Sequence, residues 1–447
     1  MEHRNIVVLG AGESGAGAAV LARKQGCNVL VSDNNKIKKK YKDVLSQFDI
    51  EFEEGSHTEA RILRAAEIIK SPGIPAEVPI VQKALNEGIP VISEIEFASR
   101  YTDGKLICIT GSNGKTTTTL LTEHMLKKAG LDAVAAGNVG RSFAMEVAER
   151  DHDYFVLEIS SFQLDGMYNF KADIAIMMNI TPDHLDRYNN SFNAYADSKF
   201  RIIRNMQEKD AFIYCCDDPV IMERIRTIRP RLRQIPFSIN EVIDGEGAYI
   251  KDNNIIINIQ SNKLNMTLES LALQGKHNIY NSMAAGIAGK LVGIRKPHIQ
   301  DSLSDFQNIE HRLEHVALIQ GIEFINDSKA TNVNSSWYAL ENMSGKVVWI
   351  AGGIDKGNDY ELLKPLIKEK VKAIVCLGKD NHHLLDAFSD IVEHIVETRS
   401  MDVAVQTAIY LGSKGDTILL SPACASFDLF ENFEDRGNQF KLAVNSL

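Results

Sequence analysis

Residues 106–117 read LICITGSNGKTT. LICIT is a short apolar run rich in β-branched residues, the pattern of a buried strand. TLLTEHMLKK, at 119–128, spaces its apolar residues as an amphipathic helix does. Between them lies a turn of small and polar residues ending in Lys-Thr. A strand, a glycine turn and a helix start in that order form a phosphate cradle. Loop N–H groups face anionic oxygens, Lys115 reaches terminal phosphates, and the Thr116 hydroxyl can ligate Mg²⁺. The common spacing G-x-x-x-x-G-K-[ST] requires glycine at 109, where Ile109 stands, so this is a shortened phosphate loop.

The same alternation of strand and helix continues on both sides and predicts an α/β chain with mainly parallel sheets. At 447 residues, about three domains are expected. The first block has strands at 6–9 and 29–32 and runs to about residue 94, past SPGIP (71–75). The second, 95–308, has strands at 106–110, 154–159 and 173–180. The third, 309–447, opens near HRLEH (311–315) and has strands at 322–327, 347–351, 373–377 and 417–421. The unusual polar segments all follow strand ends: GAGESG, TGSNGKTT, EISS, NITPDH, NDSKATN, GGIDKG and SPACAS. Parallel sheets collect ligands at that edge.

Single residues there carry different weights. Gly10, Gly12 and Gly15 form G-x-G-x-x-G, with Asp33 ending the next strand; taken alone this is a dinucleotide-type turn or a tight structural turn. Glu158 ends the apolar strand YFVLE, where an unpaired carboxylate would be costly to bury; it reads as a salt bridge or, beside a nucleotide loop, as a metal ligand. His184 in NITPDHLDRY reads in isolation as a hydrogen-bonding loop residue, and Lys199 in YADSKFRI as a solvated helix residue. In the third block, NDSKATN (326–332), GGIDKG (352–357) and SPACASFD (421–428) combine lysine, hydroxyls and glycine, which suits a small substrate bearing carboxylates.

Composition narrows the classes. With 49 basic and 59 acidic residues, the net charge of −10 argues against a nucleic-acid surface. Five lysines between Lys36 and Lys42 read as a solvated face. Six cysteines without C-x-x-C or zinc spacing suggest reduced core residues. The chain is expected to enter strand IVVLG without a signal peptide, and no apolar stretch reaches the ~18 residues of a membrane span. The expected address is the cytoplasm.

TGSNGKTT, EISSFQL, NITPDHLDRY, the Lys199 segment, GKHNIYN and HRLE together resemble the Mur ligase family, in the same order. NDSKATN, GGIDKG and SPACASFDLFENFEDRG resemble its D-glutamate-adding branch. The resemblance implies a Rossmann-like N-terminal domain, a central P-loop-type ATPase domain and a Rossmann-like C-terminal domain. It implies an ATP-dependent amide ligase of peptidoglycan synthesis acting on UDP-N-acetylmuramoyl-L-alanine and D-glutamate, with two Mg²⁺ ions, as a monomer. Carried residue by residue, it places the UDP-sugar on Ser14, Gly15, Asp33, Ser71, Gly73 and Asn138. ATP would lie on Gly111, Asn113, Gly114, Lys115, Thr116, Thr117, Asn278, Asn281, Arg312 and Asp327. Thr116 and Glu158 would take one Mg²⁺; His184 and a carbamylated Lys199 would take the other. D-Glutamate would meet Lys329, Thr331, Lys356, Ser426, Phe427 and Phe433. The catalytic group would be Lys115, Glu158, His184 and Lys199. Three alternatives remain open: a sibling ligase such as the L-alanine-adding enzyme or a folylpolyglutamate synthetase, an NAD-dependent oxidoreductase read from Gly10–Gly15, and a nucleotide-regulated binding module.

Overall fold

A computed structural model describes residues 4–273, 275–306, 310–343 and 345–447. The chain is α/β, with three mostly parallel sheets, one in each of three domains. By contacts it forms two compact units, Met1–Phe306 and Gln307–Leu447. The break expected at 308/309 falls on residues outside the described set. Residue 94, where the first block is expected to end, opens helix Glu94–Ala98.

The first sheet contains β1 (Asn5–Leu9), β2 (Asn28–Asp33), β3 (Glu51–Glu54), β4 (Glu67–Lys70) and β5 (Val91–Ile92), in the order β3-β2-β1-β4-β5, all parallel. The order reverses between β1 and β4, so GAGESG and SPGIP lie side by side at a switch point. Its core includes Val7, Leu9, Ile62, Ile68 and Val81.

The second sheet has nine strands: β6 (Lys105–Thr110), β7 (Ala133–Gly137), β8 (Tyr154–Glu158), β9 (Ile174–Met177), β10 (Ala211–Cys215), β11 (Arg233–Ser238), β12 (Gly247–Lys251), β13 (Asn254–Ile259) and β14 (Asn262–Thr267). The order is β14-β13-β12-β11-β10-β9-β6-β8-β7. β6 therefore lies between β8 and β9, and the phosphate loop gains EISS on one side and NITPDH on the other. β12, β13 and β14 form an antiparallel extension, unlike the parallel remainder, because turns at 252–253 and 260–261 are too short for a crossover.

The third sheet joins β15 (Glu314–Ile319), β16 (Ile322–Asn326), β17 (Val347–Ala351), β18 (Val371–Leu377), β19 (His394–Thr398) and β20 (Thr417–Leu420) as β15-β16-β20-β17-β18-β19, with β15 an antiparallel edge. Helices bury apolar residues on both faces. One cluster centres on Trp349, Leu340 and Phe388, the other on Phe324, Phe440 and Ala404. All six cysteines are free, and most are buried. Among the described residues, no helix is long and apolar enough to cross a membrane.

Candidate active site

The phosphate loop is shaped by its glycines. Gly111 and Gly114 have φ of +150° and +83°, and a Cβ on Gly114 would sit 2.5 Å from Asn281 Oδ1. Helix Lys115–Lys128 starts directly after the turn. Lys115 Nζ folds back to donate to Gly111 O and Ser112 O, each at 2.8 Å. Asn179, opening NITPDH, brackets the loop: its Oδ1 accepts from Asn113 N at 2.8 Å and its Nδ2 donates to Asn113 O at 3.0 Å. The Thr117 hydroxyl is buried without a hydrogen-bond partner among the described residues. Such a group suits a site completed by a ligand. From helix Lys276–Val292, Asn281 accepts from Thr118 Oγ1 at 3.2 Å and donates to Asn278 Oδ1 at 3.1 Å. The fold thus assembles the loop with both asparagines, though they lie more than 160 residues apart in sequence.

Glu158 is 2 % exposed, at the end of β8. Thr116 Oγ1 donates to its Oε2 at 2.6 Å, and Asn138 Nδ2 to its Oε1 at 2.8 Å. A carboxylate and a hydroxyl buried together provide the oxygen chemistry a hard divalent cation takes. Among the described residues, no group of three or more His, Cys, Asp or Glu is placed to hold a metal ion, so an ion held here would complete its shell from ligand or water oxygens. Asn138, assigned by resemblance to the UDP-sugar, is thereby placed beside the metal candidates.

Lys199 overturns its isolated reading as a solvated charge. It is 1 % exposed, on helix Phe192–Phe200. Its Nζ donates to Gly111 O at 2.8 Å and lies 4.6 Å from the Tyr195 ring centroid. Burial, then the charge of Lys115, pushes its pKa well down. His184, in a left-handed conformation (φ +51°), packs edge-on against Phe162 and lies near Asp183.

In the first sheet, a Cβ on Gly15 would sit 1.8 Å from Gly10 O, so helix Glu13–Lys24 can approach β1 only through glycine. Ser71 Oγ donates to Gly10 O at 3.2 Å, joining the loops that carry Ser14, Gly15, Ser71 and Gly73. Asp33 already accepts from Ala11 N and Asn35 N, each at 2.8 Å. Both of its oxygens thus organise the loop.

The second unit gathers the third-block motifs at the ends of the adjacent strands β16, β20 and β17. Asp327 is buried. It accepts from Ser421 Oγ at 2.9 Å and Leu313 N at 3.2 Å. Burial raises its pKa to about 7, against the lowering effects of Arg312 and Ser421. Lys329 Nζ lies 5.1 Å from the Phe433 ring centroid. Ile354 and Ala425 exchange backbone hydrogen bonds, joining GGIDKG, with half-buried Lys356, to SPACAS. Ser426 is buried and Thr331 half-buried, whereas Phe427 is 69 % exposed. Sequence reasoning passed over Arg436, which is 1 % exposed. Its guanidinium donates to Ser328 O (2.8 Å), Ser328 Oγ (3.0 Å), Cys424 O (3.1 Å) and Gly352 O (3.4 Å), tying all three motifs together. Its only sequence signal was its place in FENFEDRG.

Comparison with known proteins bears on the whole chain. The family model described as Mur ligase middle domain matches residues 109–289; that of the Mur ligase MurD-like N-terminal domain matches 4–93, and that of the Mur ligase glutamate ligase domain matches 311–424. UDP-N-acetylmuramoylalanine–D-glutamate ligase of Christiangramia forsetii is 54 % identical over 444 residues, covering 99 % of this chain and 100 % of its own. The enzyme of that name from Bacteroides fragilis is 55 % identical over 446 residues, with 99 % and 100 % coverage. Among solved structures, UDP-N-acetylmuramate–alanine ligase MurC of Thermotoga maritima superposes with a TM-score of 0.64 at 16 % identity, covering 99 % of this chain and 100 % of its own. MurF of Acinetobacter baumannii gives 0.63 at 16 % identity, covering 98 % and 93 %. These two likenesses concern the fold.

Proposed function

The chain belongs to the Mur ligase family, and from that premise we propose that it joins D-glutamate to UDP-N-acetylmuramoyl-L-alanine, with cleavage of ATP to ADP and phosphate, in peptidoglycan synthesis. A carboxylate is a poor electrophile. Transfer of the γ-phosphoryl group to the L-alanyl carboxylate makes an acyl phosphate; attack by the D-glutamate amine then forms the amide, expels phosphate and releases a proton.

The observation carrying this reading is the convergence of Lys115, Thr116, Glu158 and Lys199 around one phosphate loop. Gly111, Asn113, Gly114 and Thr117 hold the polyphosphate, and Lys115 offsets charge on the transferring group. Asn278, Asn281, Arg312 and Asp327 contact the nucleotide. Thr116 and Glu158 would hold one Mg²⁺, and His184 with a Lys199 carbamate a second; bound there, the ions supply positive charge against the phosphate oxygens. Ser14, Gly15, Asp33, Ser71, Gly73 and Asn138 orient the UDP-sugar. Lys329, Thr331, Lys356, Ser426, Phe427 and Phe433 orient D-glutamate, with Lys329 and Lys356 facing its carboxylates. The working blocks are 1–94, 95–308 and 309–447, acting as a monomer in the cytoplasm.

An ADP-release panel tests this. Turnover is expected only with ATP, UDP-N-acetylmuramoyl-L-alanine and D-glutamate together. Equal turnover with L-glutamate or L-alanine points instead to a sibling ligase, and ATP cleavage without an acceptor removes the ligase reading.

A further inference from the structure

Four consecutive backbone carbonyls of the loop after β4 turn toward two cations. Lys70, the last residue of β4, donates from Nζ to Ile74 O at 2.6 Å and to Ser71 O at 3.4 Å. Arg187, in the segment after β9, directs its two terminal nitrogens to Pro72 O and Gly73 O, each at 3.4 Å. The guanidinium also lies over the Phe162 ring, 4.5 Å from its centroid, which limits its freedom. One short bond holds the loop, and the three longer contacts act mainly as charge against carbonyl dipole. One cation comes from the first sheet and the other from the second, so the loop is held from both.

Turning the carbonyls to one side determines what the other side can offer. Ser71 N is taken by Leu9 O and Ile74 N by Ser71 O, while Pro72 has no N–H. Gly73, an exposed residue, carries the amide left to face a ligand. The two cations also repel. Burial, then Arg187, lowers the Lys70 pKa to about 8, while Asp165 and Glu77 act in the opposite direction. An anion on the open side of the loop would favour the protonated lysine, adding to the effect of Asp165 and Glu77.

We propose that Lys70 and Arg187 are a positioning pair that presents the 71–75 loop to the anionic UDP-sugar and selectively sets the affinity for that substrate. The proposal rests on the reading of this loop as part of the UDP-sugar site. Arg187 stands in NITPDHLDRY, whose His184 is assigned to a metal, but neither Lys70 nor Arg187 is itself assigned to a ligand.

Calorimetric binding of UDP-N-acetylmuramoyl-L-alanine to the full chain tests it, together with KM values for all three substrates. Lys70→Met and Arg187→Gln should each weaken UDP-substrate binding by about tenfold, the loss expected when a charged donor is removed. KM for ATP and for D-glutamate should stay within about twofold, and Lys70→Arg, which keeps charge and reach, should recover part of the loss. Lys70→Gln replaces the Met variant if that does not fold. Unchanged UDP-substrate affinity in both variants overturns the proposal. So does an equal rise in all three KM values, which would make the pair a general support of the fold. If the unsubstituted protein does not bind the UDP-substrate, the site reading fails and takes the proposal with it, a result distinguishable because it precedes any substitution.

Discussion

Replacing Lys199 separates two accounts of a buried lysine beside a phosphate loop. Lys199 and Lys115 both donate to Gly111 O, each at 2.8 Å, so their nitrogens lie at most twice that distance apart. Two like charges that close repel, which disfavours the protonated form of either. Burial acts on Lys199 in the same direction and is the larger cause. A neutral amine can add CO₂, forming an N–C bond and releasing a proton, which converts a cation into an anionic oxygen donor suited to a hard metal. Lys199→Ala should therefore lower kcat by at least about 10²-fold, comparable to deleting a preorganised catalytic donor, while melting remains cooperative. Added acetate should restore part of the rate by occupying the vacated space with a carboxylate. Lys199→Arg should stay inactive, because guanidinium keeps its charge and forms no carbamate. Coupled ADP release measures all three. An active Arg variant would show that positive charge is the working property, and the carbamate account would fail.

Lys115→Ala should also reduce kcat at least about 10²-fold, and a rate within a few-fold of the unsubstituted enzyme would remove the lysine from the phosphate site. Glu94 is fully buried, with Oε2 unpartnered among the described residues, and burial raises its pKa from 4.5 to about 8. The native state then holds this proton more tightly than the unfolded chain, so the stability it contributes is complete below pH 4.5 and is lost as pH rises toward 8. Glu94→Gln should flatten that decline, worth on the order of 4 kcal/mol at most, in denaturant melts at pH 5 and pH 8; parallel pH profiles would contradict it. Arg436→Met should raise KM for D-glutamate more than KM for ATP, since one guanidinium joins the three amino-acid loops; equal changes would assign it to general stability. The proposed phosphoryl and amine sites lie in different compact units, so solution scattering should change when an ATP analogue and UDP-substrate bind, and identical profiles would count against domain closure.

Local chemistry was legible in the residues alone. LICIT and KTT are separated by only four residues, so strand, glycine turn and helix start could be read together, and Lys115 and Thr116 with them. The strands β1, β6, β8, β17 and β20 were expected within about two residues of where they occur. Hidden from that reading was everything set by strand order. Glu158 meets Thr116 because β8 lies beside β6. Lys199 looked like a surface residue because helix periodicity says which residues share a face, but not what covers that face. Folding packs it against the loop carbonyl at Gly111, 88 residues away, and its charge chemistry changes with the loss of water. Lys70 and Arg187, and the three loops tied by Arg436, belong to the same class. Short-range hydrogen bonding and side-chain pattern specify elements, whereas which elements become neighbours depends on burying their apolar faces together, a property of the whole chain that brings distant charges into one low-dielectric site.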